Sequence, residues 1–254
     1  MADMVDQSRR GVRMAEVWDQ VLSAMAVHAS ETGPASLDVV DVGGGSGTFA
    51  VPLAARGHRV IVVDPSPNAL ATLRQRAAES GVTELITAVQ GEAADVRSLV
   101  GPHAADVVLC HGVLDVVDDP AAALAGMVPA LRPHAMVSVV VAQRNAAVLG
   151  KAMAGHFRDA LHMLEDRDGR WGSTDPLPRR FSEGMLTDLL GAAGLSGLRV
   201  FGVRFFTDLV PGALVDDPAD VRELAALESR AATMADMRPL AAALHVIGWS
   251  GTGE

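Results

Sequence analysis

Asp41, Gly43, Gly45 and Gly47 take alternate positions in "DVGGGSG" (41–47), and Asp64 follows Gly47 by seventeen residues. Glycines this dense let a backbone approach a ligand closely, and a helix starting behind them offers unpaired N–H groups. An aspartate at the end of the next apolar run can accept hydrogen bonds from both hydroxyls of a ribose. The plain alternative for Asp64 is a cap on the helix that begins at Ser66. Two ligand spacings coexist in the loop. Gly45, Gly47 and Ala50 fit the GxGxxA form of a dinucleotide loop, whereas Asp41 and the three alternating glycines fit DxGxGxG.

Such a loop needs a strand before it and a helix behind it, and the apolar pattern supplies both. "LDVVDV" (37–42), "RVIVVD" (59–64), "ELITAVQ" (84–90), "ADVVLCH" (105–111) and "AMVSVVVAQ" (135–143) are strand candidates. The first four are short, continuous and β-branched, as strands buried on both faces should be. Helices are predicted between them over 47–56, 66–80, 92–100 and 120–131, punctuated by Pro67, Gly81, Pro120 and Pro133. Alternation of this kind predicts a parallel sheet with right-handed crossovers. Beyond residue 143 the pattern predicts one helix over 145–164, a polar Gly/Pro-containing loop over 165–180 and a helix over 182–193. A strand at 197–206, a helix at 218–234 and a last strand at 240–249 complete the chain.

Composition narrows the classes. The 254 residues fit one large domain, 1–254, or one carrying an inserted lobe. No apolar run reaches the roughly 18 residues needed to span a membrane, and the polar start "MADMVDQSRRG" predicts no signal peptide. A single cysteine, Cys110, forbids an internal disulfide and predicts a cytoplasmic protein. Eight histidines without CxxC or HxxxH spacing predict no metal. The net charge of −10 argues against a broad nucleic-acid-binding surface. That charge is uneven: residues 144–204 carry 9 Lys/Arg against 7 Asp/Glu, and the remainder 12 against 24. The chain has no tyrosine.

The DxGxGxG loop resembles the first motif of class I S-adenosylmethionine-dependent methyltransferases, and further matches follow in order. "QGEAAD" (90–95) resembles the segment placed around adenine, and "CHGVLDVVDDP" (110–120) the loop beneath the methionine portion. A dehydrogenase would not carry that order of signals. From about residue 8 to 247 the chain is similar to the bacterial tRNA 5-carboxymethoxyuridine methyltransferases. The similar stretches include "RRGVRMAEVWDQVL" (9–22), "ARGHRVIVVDPS" (55–66), "KAMAGHF" (151–157), "GVRFFTDLV" (202–210) and "LESR" (227–230). The resemblance implies an α/β, Rossmann-like class I methyltransferase fold: a seven-stranded, mostly parallel sheet, helices on both faces and a helical lid. The lid would comprise an N-terminal helix (8–30) and a substrate-side lobe (144–182).

It also implies roles. Arg13 would pair with the methionine carboxylate, bidentately where geometry allows. Asp41, the three glycines, Asp64 and Pro65 would surround the cofactor, Glu92 and Ala93 its adenine, with Asp95 as the alternative acidic partner. His111 and Val113 would line the loop under the sulfonium, and S-adenosyl-L-homocysteine would be the product. Arg204, between Val203 and Phe205, would hold a substrate carboxylate, and Arg204 and His111 are the candidate catalytic residues. Phosphate contacts of a tRNA anticodon stem-loop would fall to Arg158, Arg170, Arg179 and Arg180, with Trp171 stacking on a base. A carboxylate acceptor is already ionised at neutral pH, so alignment and removal of water suffice. A phenol or amine acceptor would more often want a base, for which His111, His156 or His162 could stand.

The chain departs from the pattern on the substrate side. The tyrosine expected near Ala142 is absent, Gln143 stands where Asn is expected, and an expected lysine-rich cluster reads "MLEDRDGRWGS". Two alternatives accompany the tRNA reading: a small-molecule O- or N-methyltransferase acting on an anionic metabolite, and a cofactor-binding protein without transfer activity.

Overall fold

Four short apolar runs become neighbouring parallel strands: β1 (Asp38–Val42), β2 (Arg59–Asp64), β3 (Ile86–Gln90) and β4 (Ala105–His111). Of these β3, expected to be buried on both faces, is an edge strand with no fully buried residue. The computed structural model describes residues 2–33, 36–211, 215 and 217–251, with only the backbone at residues 2–13, 31 and 32. Val39, Val40 and Val42 of β1 and Val107, Val108 and Leu109 of β4 are buried, as a strand covered on both faces requires. With β5 (Leu131–Ala142), β6 (Leu195–Val203) and β7 (Ala243–Ser250) they form a seven-stranded sheet ordered β3-β2-β1-β4-β5-β7-β6. β5 pairs with β4 in parallel. His134 donates to the Gly251 carbonyl whereas Gln143 donates to that of Ala242, the opposed order of an antiparallel pair. The sheet is therefore mixed and mostly parallel.

Helices start where an Asp or Ser precedes a proline. Ser66 caps α3 (Pro67–Glu79), Asp119 caps α5 (Pro120–Met127) and Asp217 caps α9 (Pro218–Ala232), each side chain accepting from a first-turn N–H. On α3, Leu70, Leu73 and Ala77 share one buried face. Burying each leucine contributes roughly 2 kcal/mol. The remaining helices are α1 (Ala2–Thr32), α2 (Ala50–Ala54), α4 (Val96–Val100), α6 (Arg144–Met153), α7 (Phe157–Glu165) and α8 (Glu183–Ala192). None of the described helices is long and apolar enough to cross a membrane.

Several elements differ from expectation, among them the strand predicted over 197–206, which is Leu195–Val203 and leaves Arg204 beyond its end. The helix predicted over 145–164 is two, because Gly155 takes φ +77° and closes α6: its N–H reaches Ala152 O, and His156 N–H reaches Lys151 O. The helix behind the glycine loop starts at Ala50, since residues 43–49 are spent on turns. β5 starts at Leu131, with a break in its register against β4 between Ala105 and Val107, so the polar "RPH" lies inside a strand.

By contact density the chain forms two units. The glycine-loop unit holds Ala24–Val140, Leu186–Arg199 and Val246–Glu254. The arginine unit holds Met1–Ser23, Val141–Met185 and Val200–His245. Within the arginine unit, Phe205, Ala231, Ala232 and Ala241 form a buried cluster against which Phe206 and Met237 pack.

Candidate active site

In the glycine-loop unit, the carboxyl ends of β1 to β4 open onto a cavity of about 680 Å³. Gly43, Asp64, Pro65, Glu92, Ala93, His111 and Val113 are in its wall. Gly43 has φ +68°, and a Cβ there would stand 2.4 Å from Val113 Cγ2, so only glycine fits beside that side chain. Gly45 directs its N–H to Asp64 Oδ2 at 2.9 Å. Gly47 packs on Leu73 of α3, and the Arg76 guanidinium donates to Ser46 O at 2.9 Å, so α3 clamps the loop from behind. Asp95 sits in a 3-10 turn outside the wall, whereas Glu92 is in it, together with Asp64, Asp118 and Asp119. Arg13 lies among residues whose side chains are not described.

Asp64 accepts from Gly45 N–H on one oxygen and from Ser66 N–H, at 2.8 Å, on the other. Asp64 thus ties the glycine loop to the residue before α3, and the cap of that helix is Ser66 rather than Asp64. A carboxylate has about four acceptor sites, so two stay available for ribose hydroxyls. Asp41 is 3% exposed, and its Oδ2, tucked under Gly44, has no hydrogen-bond partner among the described residues. Burial, and then the charge of Asp64, raise its pKa to about 7. Asp41 is not itself in the cavity wall; its carboxylate lies beneath the loop backbone at Gly44. Gly44 was not singled out in the sequence, yet a Cβ there would fall 2.4 Å from Asp41 Oδ2.

His111 hydrogen-bonds Ser138 Oγ through Nε2 at 2.8 Å and meets the Phe49 ring edge-on, centroids 4.6 Å apart. Although one side of the ring faces the cavity, these surroundings desolvate it and press its pKa down to about 3. The imidazole is neutral at pH 7 and too weak a base to drive deprotonation of a phenol or amine. Cys110, fully buried behind it, is held as a thiol by desolvation and by the neighbouring charges of Asp115 and Asp41.

In the arginine unit a second cavity, of about 170 Å³, holds Arg204 with Ala142, Gln143, Ala146, Ala147, Phe205 and Asp208 in its wall. Arg204 has φ +60°, rare for a residue with a side chain, and its Nε lies 3.7 Å from Asp208 Oδ2. Gln143 is 3% exposed, and its amide donates to Arg238 O and Ala241 O, so it braces the wall.

The other expected acceptor-side residues are engaged within the unit. Arg180, which is also in the wall of the Arg204 cavity, is 6% exposed and makes a two-pronged pair with Asp175, at 2.7 and 3.0 Å. Arg179 faces Asp168 at 3.5 Å. Arg170 donates to Gly172 O. The Trp171 ring already carries Lys151 Nζ at 3.7 Å and the Arg180 guanidinium at 4.6 Å from its centroid. Arg179 and Arg180 thus pair with carboxylates of their own loop, its Glu165 and Arg167 are exposed, and Arg158 is the exposed residue among the four expected phosphate arginines.

Residues 40–139 match the family described as a methyltransferase domain. The crystal structure of an S-adenosylmethionine-dependent methyltransferase from Thermotoga maritima, a possible histamine N-methyltransferase, shares the fold. It aligns with a TM-score of 0.56 over 98% of this chain and 93% of its own, at 17% identity. The chain belongs to the class I S-adenosylmethionine-dependent methyltransferases. A relative within that class is the tRNA 5-carboxymethoxyuridine methyltransferase of Escherichia coli (strain K12). It is 32% identical over 197 residues, which are 78% of this chain and 72% of that one. The ubiquinone biosynthesis O-methyltransferase of Rickettsia canadensis (strain McKiel) is 30% identical over 123 residues, 48% of this chain and 50% of that one.

Proposed function

We propose that this methyltransferase esterifies the carboxylate of 5-carboxymethoxyuridine at the tRNA wobble position, with Arg204 holding that carboxylate. The observation that carries the reading is Arg204 itself: a guanidinium in a small, largely apolar cavity, on a stretch, "GVRFFTDLV", belonging to the similarity with the tRNA enzymes. S-adenosylmethionine, when bound, supplies a methyl group made electrophilic by its sulfonium. The chain's own residues contribute position. Asp64 and Glu92 would hold ribose and adenine, Asp41 the ammonium, and Arg13 the methionine carboxylate. Arg204 would orient the acceptor oxygen and exclude water from it. Neutral, weakly basic His111 supports an acceptor that needs no deprotonation, and a carboxylate is one. The excess of cations over residues 144–204 in an otherwise acidic chain suits a polyanionic partner.

A second reading is methylation of an anionic small molecule. It is favoured by the self-pairing of Arg180, Arg179 and Trp171 and by the alanine at position 142 of the Arg204 cavity. The deciding experiment is transfer from labelled S-adenosylmethionine to bulk tRNA carrying unmethylated 5-carboxymethoxyuridine, with wild type and Arg204→Ala. The expected result is base-labile label in tRNA, acceptor KM at least roughly tenfold higher in the variant, and cofactor Kd unchanged. No transfer to that tRNA, with cofactor bound tightly, would overturn the reading in favour of the small molecule.

A further inference from the structure

Glu228, on α9, is 1% exposed, a costly place for a carboxylate. Its partners explain the burial. Oε2 accepts from Phe205 N–H at 2.7 Å, and Oε1 accepts from Phe206 N–H at 2.9 Å, Thr207 N–H at 2.7 Å and Thr207 Oγ1 at 2.6 Å. Three consecutive backbone donors and one hydroxyl thus converge on one side chain, 21 to 23 residues further along the chain. The residue just before this pinned turn is Arg204, at φ +60°. Such a backbone persists only where its surroundings over-determine it. Here they do: Ala242 N–H holds the Arg204 carbonyl at 3.1 Å on one side, and Glu228 holds the next three residues on the other. Phe205, 2% exposed, is further wedged against Ala231 and Ala232, one turn along α9 from Glu228.

We propose that Glu228 is a positioning residue for the acceptor site: its carboxylate fixes the 205–207 turn, and the turn presents the Arg204 guanidinium to the cavity. The inference rests on the reading that Arg204 holds the acceptor's carboxylate. Glu228 acts only through that arginine. Without its acceptor oxygens the three N–H groups must find other partners, Arg204 relaxes to negative φ, and its side chain leaves the position it shares with Asp208.

The test compares Glu228→Gln, Thr207→Val, Arg204→Ala and the Arg204→Ala/Glu228→Gln double variant, all in the full chain, with the same tRNA as acceptor. Glu228→Gln keeps one acceptor oxygen for Phe206 and Thr207 but turns an N–H toward the Phe205 amide. It is expected to raise acceptor KM about tenfold, leave Kd for S-adenosyl-L-homocysteine unchanged, and strip exchange protection from the Phe205 amide. The double variant should be no worse than Arg204→Ala alone, because the second substitution has nothing left to misplace. Thr207→Val removes one hydroxyl donor and should raise KM about threefold. It keeps the question open to decision if Glu228→Gln does not fold: a rise that vanishes in the Arg204→Ala background supports the proposal, and no rise overturns it. Loss of amide protection with KM unchanged, or full multiplication of the two effects in the double variant, would make Glu228 merely structural. Should the wild type not methylate this tRNA, the assignment of Arg204 falls and the inference with it. Failure of the inference alone looks different: Arg204→Ala weakens the acceptor and Glu228→Gln does not.

Discussion

The glycine-loop cavity and the Arg204 cavity are built on opposite plans. The first is walled by backbone and side chains at the ends of adjacent parallel strands and by residues of the 116–123 segment, with Leu73 and Arg76 of α3 holding its loop from behind. The second is braced by side chains with distant partners: Gln143 on the carbonyls of Arg238 and Ala241, and Glu228 on the amides of residues 205–207. A backbone site binds what all members of an enzyme class share. A side-chain site can change its ligand by a few substitutions while the sheet stays intact. The two can therefore be broken separately, and the largest expected effect is on the first. Asp64→Ala removes the acceptor of Gly45 N–H, of Ser66 N–H and, in the proposed complex, of the ribose. Titration calorimetry with S-adenosyl-L-homocysteine should show affinity roughly 100-fold lower, about 3 kcal/mol. Exchange protection at residues 205–207 should not move. If it does, the two cavities are not independent and the contrast fails.

The same difference in plan decides what was legible in the sequence. β1, β2 and β4 could be read to within a residue because a strand buried on both faces needs a continuous apolar run. The loop between β1 and β2 was legible because only glycine takes φ +68° beside Val113 without strain. What was missed depends on partners that sequence does not display. The pairing of Arg180 was missed because nothing in "DPLPRR" says that Asp175 folds back onto it. Glu228 sat in plain view in "LESR", yet its partners are backbone N–H groups, which every residue but proline carries. The break at Gly155 was hidden by apolar residues that keep helical spacing on either side of it. Gly44 was overlooked because it lies between the alternating motif positions, although its missing Cβ is what leaves room for Asp41.

Asp41 provides a smaller test of the same contrast, because its titration belongs wholly to the first site. Its pKa near 7 in the folded chain lies well above the usual carboxylate value of about 4. The folded state therefore holds more protons than the unfolded one between about pH 4 and 7, and stability falls as pH rises through that window. The ionised, buried carboxylate costs roughly 4 kcal/mol by that shift. Asp41→Asn should accordingly raise the melting temperature above pH 7 and change little at pH 4. Cofactor affinity should move the other way. An ammonium partner favours the ionised carboxylate, so affinity rises with pH up to about 7, at most about tenfold per unit, and Asp41→Asn flattens that rise. A wild-type affinity independent of pH between 5 and 7 would remove Asp41 from the ammonium. The acceptor KM should be indifferent to the substitution at every pH.

The smallest effect concerns the acceptor side, and there the sign matters more than the size. Ala142 stands in the wall of the Arg204 cavity, near where the tRNA enzymes are expected to carry a tyrosine. Ala142→Tyr adds a phenol hydroxyl and fills part of about 170 Å³. If the acceptor is a carboxylated nucleoside, the hydroxyl can donate to it beside Arg204, and one hydrogen bond of about 1 kcal/mol lowers acceptor KM roughly fivefold. If the cavity has instead been cleared for a bulkier small molecule, the ring occupies the acceptor's own volume, and activity toward that molecule falls while tRNA is still refused. Overpacking costs about 1–3 kcal/mol of stability in either case, so melting temperature does not separate the two. The KM for tRNA does, because only a cavity still shaped for the nucleoside gains from regaining the hydroxyl.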